Sequence, residues 1–252
     1  MNPLISQQAE RLLEAGVAGN RTSHGAENNL HKIGLLLELD ENNTFGMEDL
    51  LRDVTFDEAY EAVSHQLGNP PDREETPGRG CIDPARTAAG LVEAGERIRD
   101  VAGSGGRLIF ATGHPGALLL YYLELARWAQ ELGGEVASAK ARGLYAKGIS
   151  LDWAGSVGTL GNGAGLFHTH SPDHMRDVLA ELGHEVDLVV ADHGFAGAAI
   201  VAGIPTVAVM DTNDPALAVV AGRGADVTVV PMDDNRPLNS YAAALAVLKG
   251  ET

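Results

Sequence analysis

The chain has 252 residues, enough to bury a full core as one large domain or as one domain with a small appendage. Eighteen Lys and Arg against 35 Asp and Glu leave a net charge of −17, which argues against nucleic acid and anionic membrane as partners, because both require a basic footprint. A lone cysteine, Cys81, excludes an intrachain disulfide and suits a reducing compartment. The start MNPLISQQAERLLEAG has no basic or apolar leader pattern, and no apolar run approaches the ~20 residues of a membrane span. A cytoplasmic protein is expected.

Residues 1–68 read as helical. Ala9, Leu12, Leu13 and Val17 recur at helical spacing within 7–17, a polar turn follows at 19–25, and 29–39 resumes with Leu30, Ile33, Leu36 and Leu37. A further helix over 57–67 is capped by Thr55 or Asp57. This region is expected to cap the remaining fold or to form a dimer surface, which leaves homo-oligomerisation open. Residues 69–83, beginning NPPDREETPGRG, read as a linker. A helix over 84–102 then opens with Asp83 as N-cap and Pro84 at the first helical position.

From Arg107 the chain alternates strand and helix. Strands are expected at 108–111, 135–139, 187–191, 206–210 and 226–230, with helices at 117–132, 171–182, 194–203, 214–222 and 238–249. A β-excursion over 144–163 carries an Asn-Gly turn signal at Asn162-Gly163. The 31 glycines suit many tight turns between strands and helices. Together these elements predict an α/β fold over 84–252: a Rossmann-like, parallel, doubly wound sheet in three layers, with the helical N-terminal region appended.

Four strand-to-helix turns share one construction. His114-Pro115, Ser171-Pro172 and Asp214-Pro215 place proline at a helix start, and Asp192-His193-Gly194 is the fourth. Helix starts leave free N–H groups and partial positive charge at the carboxyl edge of the sheet, which suits phosphate. Thr112, Gly113 and Gly116 form a short candidate phosphate loop, with Ser171 and Asn213 as further phosphate contacts. Ordinary capping by Ser171 and Asp214 is the plainer alternative. His168-Thr169-His170 sets two imidazoles on one face of an extended segment. With Asp211 and Asp214 they make a candidate site for a divalent metal, Mg²⁺ or Zn²⁺; substrate contacts or polar turn residues are the other readings. Asp192 could activate water or act as the nucleophile, and His193 or His114 could protonate the leaving group. His24 and His31, near Asn28 and Asn29, and Arg21 within the same turn region are candidates to reach the site from the helical region.

FATGHPGALL (110–119), LFHTHSPDHM (166–175), VADHGFAGAA (190–199) and VMDTNDPA (209–216) make the whole chain resemble a bacterial phosphatase family. That resemblance implies a class and assigns no catalytic residues. A second likeness is local: GIPTVAVMDTNDP and VPMDDNRP, within 203–247, are similar to the end of the core of the second small-subunit ribosomal protein of bacteria. It implies a parallel three-layer sheet without the RNA role. The expected function is therefore a phosphoric monoester hydrolase acting on a small phosphorylated metabolite with metal assistance. A phosphosugar isomerase or lyase, and a non-catalytic module binding a sugar phosphate or nucleotide, remain the alternatives.

Overall fold

Local signals set most of the helices. A computed structural model describes residues 3–69, 78–140, 148–183 and 185–251. The N-terminal region holds α1 (Pro3–Ala15), α2 (Ala26–Leu37), α3 (Glu41–Thr44), α4 (Glu48–Leu51) and α5 (Phe56–Leu67). Thr55 caps α5 by accepting from the Glu58 N–H at 3.2 Å, and Gly68, at φ 71°, ends it. The one-turn helices α3 and α4 are too short to leave a periodic signal and were not expected. Most of the expected linker, 70–77, lies outside the described residues. Beyond it α6 (Pro84–Gly103) starts as predicted, with the Asp83 carboxylate accepting from the Ala85 N–H at 2.9 Å.

The alternating part runs β1 (Arg107–Ala111), α7 (Pro115–Glu131), β2 (Glu135–Val136), β3 (Ser150–Ala154), β4 (Val157–Gly161), β5 (Leu166–Phe167), α8 (Asp173–Leu182), β6 (Leu188–Asp192), α9 (His193–Val201), β7 (Thr206–Met210), α10 (Pro215–Gly222), β8 (Val227–Pro231) and α11 (Ala242–Lys249). Three expectations shift. The strand expected over 135–139 pairs only at Glu135 and Val136. Pro172 sits before α8 rather than at its first position. The closing helix opens as a 3₁₀ turn, Leu238–Tyr241.

The sheet runs β3-β4-β1-β6-β7-β8, with β2 beside β1 and β5 beside β4. The strands β4, β1, β6, β7 and β8 are parallel, whereas β3 and β5 are antiparallel to β4 and form the expected excursion. β1 is the switch point. β2 and β4 share one of its edges and β6 takes the other. Right-handed crossovers running in opposite directions put α7 and α9 on opposite faces, so a crevice opens at the carboxyl ends of β1 and β6. α7 packs with α6 and α11, and α9 with α8.

The N-terminal helices share the sheet's core. α1 lies on α6, while α2, α4 and α5 lie on α10. Leu12, Ile33, Leu36, Phe45, Leu51 and Leu67 join the same buried cluster as the strands. At roughly 1.5–3 kcal/mol per fully buried side chain, that attachment fixes the region against the sheet edge. Among the described residues, no helix is long and apolar enough to cross a membrane.

Candidate active site

The carboxyl ends of three adjacent strands each finish in acids: Asp192 after β6, Asp211 and Asp214 after β7, Asp233 and Asp234 after β8. All five are buried. Facing them are His114 from the turn after β1, His168 and His170 from the segment after β5, and His24, Asn28 and Lys32 from the turn before α2 and from α2 itself. They line a cleft of about 290 Å³.

The imidazoles are in mutual contact. His114 stacks on His168 with ring centroids 4.4 Å apart, and His170 stacks on His193 at 4.6 Å. The Nε2 atoms of His168 and His170 face each other at 3.0 Å. The His170 Nδ1–H donates to the Asn42 carbonyl at 2.5 Å, which leaves its Nε2 as a lone pair. Crowding strips water from both rings and the nearby His193 charge opposes theirs, lowering His168 to about 4 and His170 to about 3. Both rings are neutral at neutral pH and can act as ligands.

His193 has the opposite character. Burial disfavours its charge, but the hydrogen bond to Asp192 at 3.0 Å and the carboxylates of Asp214 and Asp234 outweigh that and raise it well above the usual histidine range. Its Nε2 lies 3.3 Å from Asp234 and 3.8 Å from Asp214. His114 is raised as well: burial opposes, and Asp234, 3.1 Å from its Nδ1, prevails. Burial works against the Asp234 charge too, but the two imidazoles hold it well below the usual carboxylate range. Burial pushes Asp214 up to about 6, tempered by His193. It pushes Asp211 up to about 7, against the hydrogen bond from His24.

The Asp-His-Gly turn has a steric logic. His193 takes φ 43°, the left-handed region that an imidazole occupies only when its surroundings hold it there. A Cβ on Gly194 would fall on the His170 carbonyl, and one on Gly197 on the Phe45 carbonyl. The small residues of α9 therefore admit the His168–His170 segment and the N-terminal region.

Asp192 organises this turn. Its carboxylate accepts from the Thr112 hydroxyl at 2.6 Å and the Gly113 N–H at 2.7 Å, and it is fully buried. The Thr112 hydroxyl in turn accepts from the His114 N–H at 2.9 Å. The loop expected to cradle phosphate thus directs its donors inward onto protein. A Cβ on Gly113 would meet the Thr169 carbonyl, so packing demands this glycine, while Gly116 is exposed with open space beside it. The expectation of Asp192 as nucleophile or water-activating base likewise meets a carboxylate whose oxygens are already engaged.

Other expected residues separate. Asp214 reaches the cleft, its Oδ2 accepting from the Asp211 N–H at 3.0 Å rather than capping α10. Asn213 lines the cleft and donates to Asn28 at 3.2 Å. Ser171 lies in a neighbouring cleft with Asn42, Gly46 and Arg176. Arg21 lines another with Leu13 and Arg236, His31 is exposed, and His174 packs against Phe195. Asp211 is held by His24 Nδ1 at 2.7 Å and by the Thr212 N–H at 2.6 Å.

Asp234 was not anticipated, nor were Lys32 and the pairing of His24 with Asp211. The signal for Asp234 was available: Met232-Asp233-Asp234 ends β8 as Met210-Asp211 ends β7. Among the described residues, the ligand atoms of His114/His168/His193 and of His193/Asp214/Asp234 lie close enough to hold a metal. A third set, Asp211/Asp233/Asp234, is already engaged by His24, by Ser23 at 2.8 Å and by the imidazoles.

The comparisons with known proteins agree over the whole chain. A family model described as Phosphatase matches residues 5–247. The Streptomyces coelicolor protein named Phosphatase SCO2771 is 34% identical, with 98% of each chain covered.

Proposed function

The chain belongs to the Phosphatase family, and on that premise we propose that it hydrolyses the phosphomonoester of a small metabolite with a divalent metal held at the imidazole cluster. One observation carries the metal: two Nε2 atoms 3.0 Å apart, one with its tautomer set by the Asn42 carbonyl. Such backbone acceptors behind a histidine are the usual support of a metal ligand. The ligands would be His168 and His170, with His114, His193 and Asp214 around them; the mixed nitrogen and oxygen donors fit Zn²⁺ or another first-row ion better than an all-oxygen site would. A bound cation supplies Lewis-acid polarisation of the phosphoryl group and activation of water.

The protein's own groups do the rest. Asp192 holds the His193 ring and the turn after β1 in place, acting as a positioning residue. Asp234 anchors His114 and His193 from the far side. His24 is suited to move a proton at the leaving oxygen: Asp211 and Ser23 occupy its Nδ1 side, its Nε2 remains, and the residue lines the cleft. The hydrogen bond that His24 donates to Asp211 raises its pKa above the ordinary histidine value despite partial burial, which favours the protonated form that a general acid needs.

The test is release of inorganic phosphate from a panel of phosphomonoesters, after chelation and after return of Mg²⁺, Mn²⁺ or Zn²⁺. Activity lost on chelation and restored by one metal supports the reading. Full activity in chelator removes the metal. No release under any condition removes the hydrolase and leaves an isomerase, a lyase or a binding module.

A further inference from the structure

The cleft is lined by polar residue types alone. Among the described residues its lining is entirely imidazole, carboxylate, amide and one ammonium, without an aliphatic side chain, a Phe, Tyr or Trp, or an arginine. Ligand pockets are ordinarily dominated by apolar and aromatic side chains, with only a few polar groups for orientation. Among the described residues the cleft's only aromatic surface is imidazole, and the pairs His114–His168 and His170–His193 already stack on each other. A nucleobase or aryl group therefore finds less ring surface here than a Phe, Tyr or Trp would offer. At about 290 Å³ the space lies near the lower end of the usual range of roughly 300–1,000 Å³.

The polar groups divide by position. Lys32 acts electrostatically on His170, and no carboxylate among the described residues lies within ion-pair distance of it. An unpaired ammonium beside the metal-ligand imidazoles, in a protein of charge −17, is suited to an anion such as a phosphate. Three amides, Asn28, Asn213 and Asn235, stand around the same cleft. Asn28 Oδ1 accepts from Asn213 Nδ2 at 3.2 Å, which leaves the Asn28 amide hydrogens and Asn213 Oδ1 for a ligand. Asn235 Nδ2 donates to Asp234 at 2.7 Å, which leaves its Oδ1. Free amide donors beside free amide acceptors match hydroxyl groups, each of which both donates and accepts.

We propose that the substrate is the phosphomonoester of a small polyhydroxylated alcohol, a sugar or polyol phosphate, with its hydroxyls read by Asn28, Asn213 and Asn235 and its phosphate received beside Lys32. This rests on the phosphatase reading above and adds the chemistry of the alcohol. A site built to bond hydroxyls disfavours analogues that lack them, because amides desolvated by the bound substrate are then left unpaired.

The experiment compares kcat/KM for glycerol 3-phosphate and hexose 6-phosphates with propyl phosphate, nucleoside 5′-monophosphates and p-nitrophenyl phosphate, in the metal-loaded enzyme. The expected preference for a polyol phosphate over propyl phosphate is about 100-fold or more. Asn28→Ala should shrink that ratio by about tenfold, and Asn235→Ala, at an exposed position, should shrink it too. Lys32→Met should raise KM for every ester alike. Propyl phosphate or a nucleotide turned over as well as the best polyol phosphate would overturn the substrate class and leave the hydrolase standing. Phosphate release from no member would overturn both.

Discussion

His168 Nε2 and His170 Nε2 face one another at 3.0 Å with no carboxylate between them. The two-residue period of an extended segment puts both rings on one side, and the Asn42 carbonyl turns the second so that its lone pair meets the first. Two neutral nitrogens at this distance are stable only if they share a proton or a cation.

Metal removal follows from this. Chelation should lower the melting temperature, and return of the preferred metal at ~100 times its Kd should add about 2.7 kcal/mol, or roughly 5–10 °C for a domain of this size. His170→Ala should abolish that shift, measured by calorimetry with metal analysis alongside. A shift that persists in the variant would place the ion elsewhere.

The pH dependence of stability has a definite sign. The folded state holds His170 at about 3, against 6.5 for the ordinary group, because burial and the His193 charge disfavour its proton. Between those values the unfolded chain takes up a proton that the folded chain refuses, so stability falls as pH falls below about 6.5. In chelator, the difference in unfolding free energy between wild type and His170→Gln should therefore shift against the wild type from pH 7 to pH 5, as read by denaturant titration. A constant difference would contradict the neutral ring.

Asp192→Ala tests a positioning role against a nucleophilic one. It strands the Thr112 hydroxyl, the Gly113 N–H and the His193 proton in a buried place, and should cost about 3 kcal/mol of stability. The conservative Asp192→Asn keeps the shape and an acceptor, so it should retain measurable turnover. Complete loss in a well-folded Asp192→Asn would restore the nucleophile.

His24→Gln keeps an N–H donor for the buried Asp211 carboxylate and should change the melting temperature little, while lowering kcat by about 100-fold or more. Because a general acid must be protonated, the variant should also lose the high-pH limb of the wild-type rate profile. An esterified leaving group of low pKa, which needs no proton, should be affected least.

Much of the fold was legible because its signals are local. Thr55, Asp83 and Gly68 mark helix ends within one turn of themselves, and buried parallel strands such as Thr206–Met210 stand out as short apolar runs. His168-Thr169-His170, Asp192-His193 and Asp211 to Asp214 were legible for the same reason: each sits where a strand ends, so its place at the sheet edge follows from neighbours in the chain. The helices α3 and α4, too short for a period, were not legible.

What only the tertiary structure decided is which polar groups remain available. Thr112 and Gly113 looked like ligand donors until Asp192, 80 and 79 positions away, was found to accept from both. Ser171 shares a motif with His170 but opens into another cleft. His24 joins Asp211 across 187 positions, because the buried faces of α1, α2 and α5 carry the N-terminal region onto the sheet edge. A sequence states the donors and acceptors it owns; long-range pairing, enforced by the cost of leaving a buried polar group unmatched, selects the few that face the cleft.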